Sequence, residues 1–415
     1  MLQRRPQVVS AFAFALIALA LPSFAEHPTG GEVRLNSTTA GEQRLTDLDA
    51  AANGRFVAVW KSQTSASAPR RIVARVFGPN LLPQTPEIVV ATVPNEASAF
   101  TGRVGVDKAT GNFVVVWSTV NSSFFPTGLF ARRFSALGAS LGPTMVLGAA
   151  GSGRGFPDVA RSSAQFVVVW QQPDGSGTRD VPSYDIVGRK FAASGAPVGP
   201  TFGVVVAKGS QEFPEADMNA AGRFAVAFEH HTDGVGGLHI DIGVASFAAN
   251  TLPALVPMLV TGHGKEEGPG VVIGNKDELF VEWSDDGIDP SDGSGHGFGV
   301  VGIILNEDGS TVAGPGRVNV FLPGIQAAAR PVLTHKGGVL AGWTSFTQDG
   351  SGTGVYGREL APTGALGPEF RVNSVTTNNQ LDLRYGLTRS GNGVAGYSTA
   401  RPTTGYDVVV RRVVP

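Results

Sequence analysis

Three of the chain's seven histidines, His230, His231 and His239, fall within ten residues, interleaved with Asp233 and Asp241 in "HHTDGVGGLHID". Imidazole beside carboxylate is the donor set of a transition-metal site and also the pairing used in general acid–base work. The spacing fits no His-Glu-x-x-His pattern, and a hairpin through the stretch would set His231 opposite His239. Three further stretches are acidic and glycine-rich. "PDGSGTRDVPSYD" holds Asp174, Asp180 and Asp185; "SDDGIDPSDGSGHG" holds Asp285, Asp286, Asp289, Asp292 and His296; "TQDGSGTG" holds Asp349. Hard oxygen donors at this density suit Ca²⁺, which accepts about six to eight oxygens in flexible geometry. Asp-Gly is also ordinary turn chemistry, because glycine supplies positive φ and aspartate bonds its own backbone. Both readings stay open at this point.

What must position these loops is a repeated strand. "FVVVWQQPDGSG" sets the pattern of an apolar run that ends in an aromatic and breaks into a loop. Its relatives end at Trp60, Trp117, Trp170, Phe228, Trp283, Trp343 and Tyr397, at intervals of 57, 53, 58, 55, 60 and 54 residues. In "FVVVW" the side chains of Phe166, Val168 and Trp170 take one face and Val167 and Val169 the other, since strand side chains alternate. Both faces are apolar, so the strand requires cover on both sides. The aromatic ends are therefore core anchors.

Each unit has the same internal order. A weak strand such as "FPDVA" (156–160), "FPEADM" (213–218) or "ARPVLT" (329–334) precedes the anchor strand. A third strand follows the loop, as in "RIVARVF" to Phe77 or "GVYGREL" to Leu360, and a fourth follows a turn, as in "PEFRVN" (368–373). Four short strands repeated seven times at about 56 residues predict a seven-bladed β-propeller. The last unit stops at its third strand, "DVVVRRV" (407–413), while "GEVRLNSTTAGEQ" (31–43) resembles "PEFRVNSVTTNNQ" (368–380). Residues 31–36 are thus expected to be blade seven's fourth strand, closing the ring and removing an open sheet edge.

The repeat resembles those of exported bacterial propellers of unassigned function, with a looser likeness to the FG-GAP propellers of integrin α-subunits. That resemblance implies a fold over residues 31–415 and no activity. FG-GAP repeats carry a calcium loop of the form Asp-x-Asp-x-Asp-Gly, which no unit here matches. The sialidase Ser-x-Asp-x-Gly box is likewise absent from the sequence.

In a propeller the acidic loops share one face with the connections between blades, so blades three to six are expected to present an acidic arc there. First strands and interblade connections are where a propeller enzyme carries its groups, and the chain offers Asp47, Asp158, Glu215 and Asp217. Third strands carry Arg75, Arg132, Arg189, Arg358 and Arg411 at one equivalent position, replaced by Ala245 and Ile303 in blades four and five; recurrence of this kind suits pairing between blades or a solvated edge better than substrate binding. "NST" at Asn36 and "NSS" at Asn121 fit a glycosylation sequon. No nucleophile elbow, phosphate loop or zinc signature is present.

Composition bounds the remaining choices. The 415 residues carry a net charge of −2, 42% hydrophobic and 16% charged residues, and 56 glycines, about double ordinary usage. Near-neutral charge lacks the basic footprint of a nucleic-acid binder. Without cysteine there is no disulfide, thiolate or lipoprotein acylation site. Arg4 and Arg5, the apolar run 8–21 and the small residues Ser23 and Ala25 read as an export signal over residues 1–25, with 26–415 a single propeller domain. The apolar run is shorter than the ~20 residues of a membrane span. The resulting expectation is a monomeric secreted or periplasmic module, non-catalytic, binding a protein or glycan through the acidic loops. A polysaccharide-acting enzyme and a calcium-stabilised surface protein are the alternatives.

Overall fold

A strand apolar on both faces is stable only between two other sheets, and the chain meets this requirement by stacking its sheets in a ring. The computed structural model describes residues 27–93, 98–121, 125–148, 152–177, 183–232, 239–249, 258–260, 265–288, 297–328, 330–388, 390–402 and 405–414. Residues 1–26, which include the expected export signal, and Asp180, Asp233, Asp289, Asp292 and His296 lie outside the described residues. Seven antiparallel sheets follow one another along the chain as seven blades. Blade one is Glu42–Ala50, Phe56–Gln63, Arg70–Phe77 and Ile88–Val93, from the innermost strand outward. Blade three is Gly155–Arg161, Gln165–Pro173, Tyr184–Ala192 and Pro197–Val205; blade four is Ser210–Met218, Phe224–His231, Ile240–Phe247 and Met258–Val260.

Blade seven joins both ends of the chain in the order Gln380–Leu387, Gly393–Ala400, Tyr406–Val414 and His27–Arg34. The closing strand begins and ends slightly earlier than residues 31–36. Leu35 and Asn36 then finish the seam: the Leu35 N–H bonds the Val408 carbonyl at 2.8 Å. The Asn36 side-chain oxygen Oδ1 accepts the Val408 N–H at 2.8 Å, and its Nδ2 donates to Asp407. Asn36 is 2% exposed, so this sequon asparagine is a structural part of the closure.

The anchor aromatics are buried as expected, with Trp60, Trp283, Trp343 and Tyr397 wholly so. Two polar devices recur around them. In "RLN…Q", "RVN…Q" and "RVN…Q", Asn36, Asn319 and Asn373 each precede a buried glutamine, Gln43, Gln326 or Gln380, by seven residues. Asn373 accepts the Val355 N–H at 2.9 Å and donates to Val375 and Gln380. Asn319 repeats that arrangement with Val300, Phe321 and Gln326. Four of the five third-strand arginines staple neighbouring blades, one of the two roles their recurrence allows, while Arg189 lies over the Phe191 ring. Arg75 reaches the Leu35 carbonyl, Arg132 Val90, Arg358 Val318 and Arg411 Val372, each on the fourth strand of the preceding blade or just beyond its end.

Blade six departs from the expectation. Its innermost strand is split into Gln326–Ala328 and Val332–Leu333, so "ARPVLT" supplies only two ladder residues. Arg330 lies in the break, free of the ladder and able to extend inward.

Candidate functional site

The innermost strands do not run straight. In blades one, three, four, five and seven the register with the second strand slips just before one position, Asp47, Asp158, Glu215, Gly270 and Arg384, and in blade two it slips one residue earlier, before Gly102, with Arg103 next. Each of these five, and Arg103, faces the residue preceding its blade's anchor aromatic, and Arg330 takes the corresponding place in blade six. A β-bulge re-aims the side chain that follows it. Six blades thus send a charged side chain to one level of the propeller, and blade five sends none.

These side chains meet. Arg330 pairs with Asp158 and Glu215, the Glu215 contact from its Nε being 2.8 Å, and lies 3.6 Å from Asp47. Arg103 pairs with Glu215, and Arg384 lies 3.7 Å from Asp47. Groups from blades one, two, three, four, six and seven can contact one another only on the axis, so this network closes the central channel as a hub. The carboxylates also stitch neighbouring inner strands: Asp47 accepts the Val104 N–H at 2.8 Å, Asp158 that of Ala216 at 2.6 Å, and Asp217 that of Ile273 at 2.9 Å.

Electrostatics follow from this crowding. Burial, reinforced by Glu215 and Asp47, outweighs Arg330 and pushes the Asp158 carboxyl up to about 7. Glu215 is also buried, but Arg103, Arg330 and Arg384 overcome that and hold it below the usual carboxylate range. Arg330 is held well above its ordinary value, because Asp158, Glu215 and Asp47 outweigh its burial. The hub is not uniformly hidden. The side chains of Arg330 and Arg384 are 18% and 19% exposed, while Asp47 and Asp158 are at 0%. Its accessible side chains are thus mainly arginines, with Glu215 the one exposed carboxylate at 12%.

Two residues before the hub position, on the side facing the interblade connections, the bulge takes left-handed backbone: Phe156 (φ 49°), Phe213 (φ 50°), Gly268 (φ 64°) and Asp382 (φ 62°). For a bulky non-glycine residue this conformation is a true outlier, and such strain concentrates at functional positions. The Phe156 and Phe213 rings meet edge to face at 5.0 Å, and Phe213 is 39% exposed. In blade seven, Asp382 accepts from two guanidinium nitrogens of Arg44, Nε and Nη2, at 2.8 and 2.9 Å.

The loop residues singled out in sequence sit on this same face, where the start of each inner strand pairs with the end of the second. Their carboxylates serve their own backbone. Asp174 accepts from the Ser176 N–H and from the Ser176 and Ser183 hydroxyls; these bonds outweigh burial and lower its pKa. Asp285 accepts the Gly287 N–H, Asp286 the Lys265 N–H, and Asp349 the Ser351 N–H and the Asn373 amide. Burial and the charge of Asp174 raise Asp185. Among the described residues, no three of His, Asp and Glu are grouped to hold a metal ion.

The histidine hairpin is offset from the facing pair expected. His231 lies opposite Ile240 and His230 opposite Asp241, while the His239 carbonyl accepts the Thr232 N–H. The ladder starts one residue further in than a His231–His239 pairing requires. His231 is buried and bonds Glu229 at 3.0 Å, and Glu229 accepts the Gly268 N–H of blade five at 2.9 Å. Burial opposes the imidazolium, but Glu229 and Glu212 outweigh it and raise His231. Burial lowers His230, whose Nδ1 lies 3.2 Å from the Gln211 amide.

Sequence reasoning named Asp47, Asp158, Glu215 and Asp217 without a pattern and did not mark Arg103, Arg330 or Arg384. The pattern exists: Asp, Arg, Asp, Glu, Gly, Arg, Arg stand twelve to fourteen residues before the seven anchors. Fold and site together define a seven-bladed β-propeller whose channel is closed by an arginine–carboxylate hub, beneath a pair of strained phenylalanines.

No family model and no curated protein matches the chain. Solved structures similar to it are propellers. A protein of unknown function from Dyadobacter fermentans has 9% identity and a TM-score of 0.56, over 94% of this chain and 99% of that one. A polysaccharide lyase of family PL25, an ulvan lyase, has 8% identity and a TM-score of 0.53, over 91% and 95%. The same kind of lyase bound to -[GlcA(1-4)Rha3S]- has 9% identity and a TM-score of 0.52, over 93% and 94%. At this identity the likeness extends to the fold alone.

Proposed function

We propose that this chain is an exported, non-catalytic binding propeller whose ligand is a glycan seated at the mouth of the channel, on the face that carries the interblade connections. The observation that carries the reading is the Phe156–Phe213 pair. Two adjacent blades hold a phenylalanine in left-handed backbone at the same bulge, where blade five has glycine, and one ring stands open to solvent. A core role does not account for an exposed aromatic kept at a backbone cost. Sugar rings present apolar C–H faces that stack on aromatics, and hydroxyls that bond to charged side chains such as those of the hub beneath. The acidic loops form the surround of this mouth, with their carboxylates used for turn stability.

The test is a panel of bacterial and algal oligosaccharides titrated against the purified chain and Phe213→Ala. The reading expects retention of at least one oligosaccharide and a loss of at least tenfold in affinity in the variant, at an unchanged melting temperature. Absence of binding to every member, or equal binding by Phe213→Ala, contradicts it.

The enzyme alternative draws on a single observation, a carboxyl near neutrality at Asp158, as general acid–base chemistry needs. Asp158 is wholly buried behind Arg330, which favours binding over catalysis. Release of new chain ends from an oligosaccharide by the wild type but not by Asp158→Asn would reverse that preference.

A further inference from the structure

Resting on the glycan reading, the geometry points to a slot for one anionic sugar residue above Gly268 and Gly270, walled by Phe213 and floored by Arg330 and Arg384. Blades three and four fill their bulge positions with phenyl rings. In blade five a methyl group placed on Gly268 would meet no atom within 4 Å, so the space beside the backbone that Phe156 and Phe213 fill in their blades is open there. One level down, Gly270 sends nothing toward the axis, and Arg330 of the next blade spans that gap to reach Asp158 and Glu215. The slot therefore stands over a guanidinium.

The sign of the ligand follows from what the floor exposes. Three of the hub's exposed side chains are arginines, with Arg330 and Arg384 each nearly a fifth exposed; the one exposed carboxylate, Glu215, is paired to Arg103 and Arg330, and Asp47 and Asp158 are fully covered. A ligand group descending between the blades meets N–H donors and positive charge first. Of the carboxylates nearer the mouth, Asp382 is paired to Arg44, Glu267 to Lys265, and Glu229, which accepts the Gly268 N–H, to His231. The planar guanidinium fork matches carboxylate and sulfate oxygens alike. The ligand is accordingly a sugar bearing an oxyanion, either a uronate carboxylate or a sulfate ester.

Calorimetric titration of the full chain separates the possibilities. The probes are an oligouronate, the same oligosaccharide with its carboxyls reduced to alcohols, and a sulfated neutral oligosaccharide. The expected result is at least tenfold tighter binding of one or both anionic probes than of the reduced one; whichever anionic probe wins identifies the oxyanion. Gly268→Phe should abolish that preference at a modestly lowered melting temperature, because a phenylalanine there takes on the left-handed backbone cost that Phe156 and Phe213 already carry. Should the variant fail to fold, the wild-type comparison still decides. Equal affinity for the reduced and anionic probes overturns the anionic slot and leaves glycan binding standing. No binding of any probe overturns both.

Discussion

Arg330 of blade six and Asp158 of blade three form an ion pair across the axis of the propeller. Neither blade touches the other through its sheet, so this contact, with the Arg330–Glu215 pair beside it, ties together blades that the hydrogen-bond ladder leaves separate. A ring of sheets opens when neighbouring blades part, and a hub that bonds across the axis resists that motion.

Removing one member of a buried ion network leaves its partners charged and unpaired, which typically costs about 3–5 kcal/mol. Arg330→Met should therefore lower the melting temperature by many degrees. Arg44→Met, which breaks a pair with Asp382 that is roughly a third exposed on each side, should cost under about 1 kcal/mol. Thermal unfolding of the two variants checks this. Similar small shifts for both would mean that water solvates the hub and that it contributes little.

The sequence made the scaffold readable and concealed the hub. Aromatic anchors such as Trp170 and Trp283 recur because each must fill the same wedge between blades, and that requirement allows few residue types. The hub obeys a weaker rule. Its positions need charges that balance across the axis, so Asp47, Arg103 and Asp158 differ in sign and show no repeat of residue type. Bulges vary the distance to the anchor, which blurs their common register. The strain at Phe213 is a backbone property that side-chain type alone does not announce. "FPDV" and "FPEA" do share their Phe-Pro, and in retrospect that pair marked the bulge. The loop aspartates were conspicuous in the sequence because turns favour them.

Glu282 supplies a pH-dependent prediction. It faces Gly270 across blade five, is wholly buried, and neither of its oxygens has a hydrogen-bond partner among the described residues. Burial raises it well above the ordinary glutamate value, the Gly342 backbone beside it offsetting only part of that. A folded-state pKa raised above the unfolded one contributes stability that is complete below the unfolded value, near 4.5, and is lost as pH climbs toward the folded value. Glu282→Gln removes this loss. Melting temperatures measured from pH 5 to 9 should show the variant gaining on the wild type as pH rises. Comparing the two proteins cancels His231, whose raised pKa also removes stability with rising pH. A constant difference across the range would mean that Glu282 ionises freely.

The arginine staples predict graded effects on stability. Arg358 bonds the Gly367 and Val318 carbonyls at 2.6 and 2.7 Å, joining blade six to blade five. Hydrogen bonds from a charged donor are worth roughly 1.5–3 kcal/mol each when the partner is left buried, and partial exposure reduces that. Arg358→Met should cost roughly 1–2 kcal/mol in denaturant unfolding. Arg189 lies over the Phe191 ring with its Nε unpartnered, so Arg189→Met should cost less. The opposite ranking would assign the recurrence of arginine to its ring contact.

The most direct test of a glycan seat above the hub is a crystal structure of the full chain with its best-binding oligosaccharide. A sugar ring packed on Phe213 and Phe156, with a polar substituent facing Arg330 or Arg384, is the result predicted here. A sugar bound instead on the outer strands or along the flank of the acidic loops, with the channel mouth bare, would contradict it.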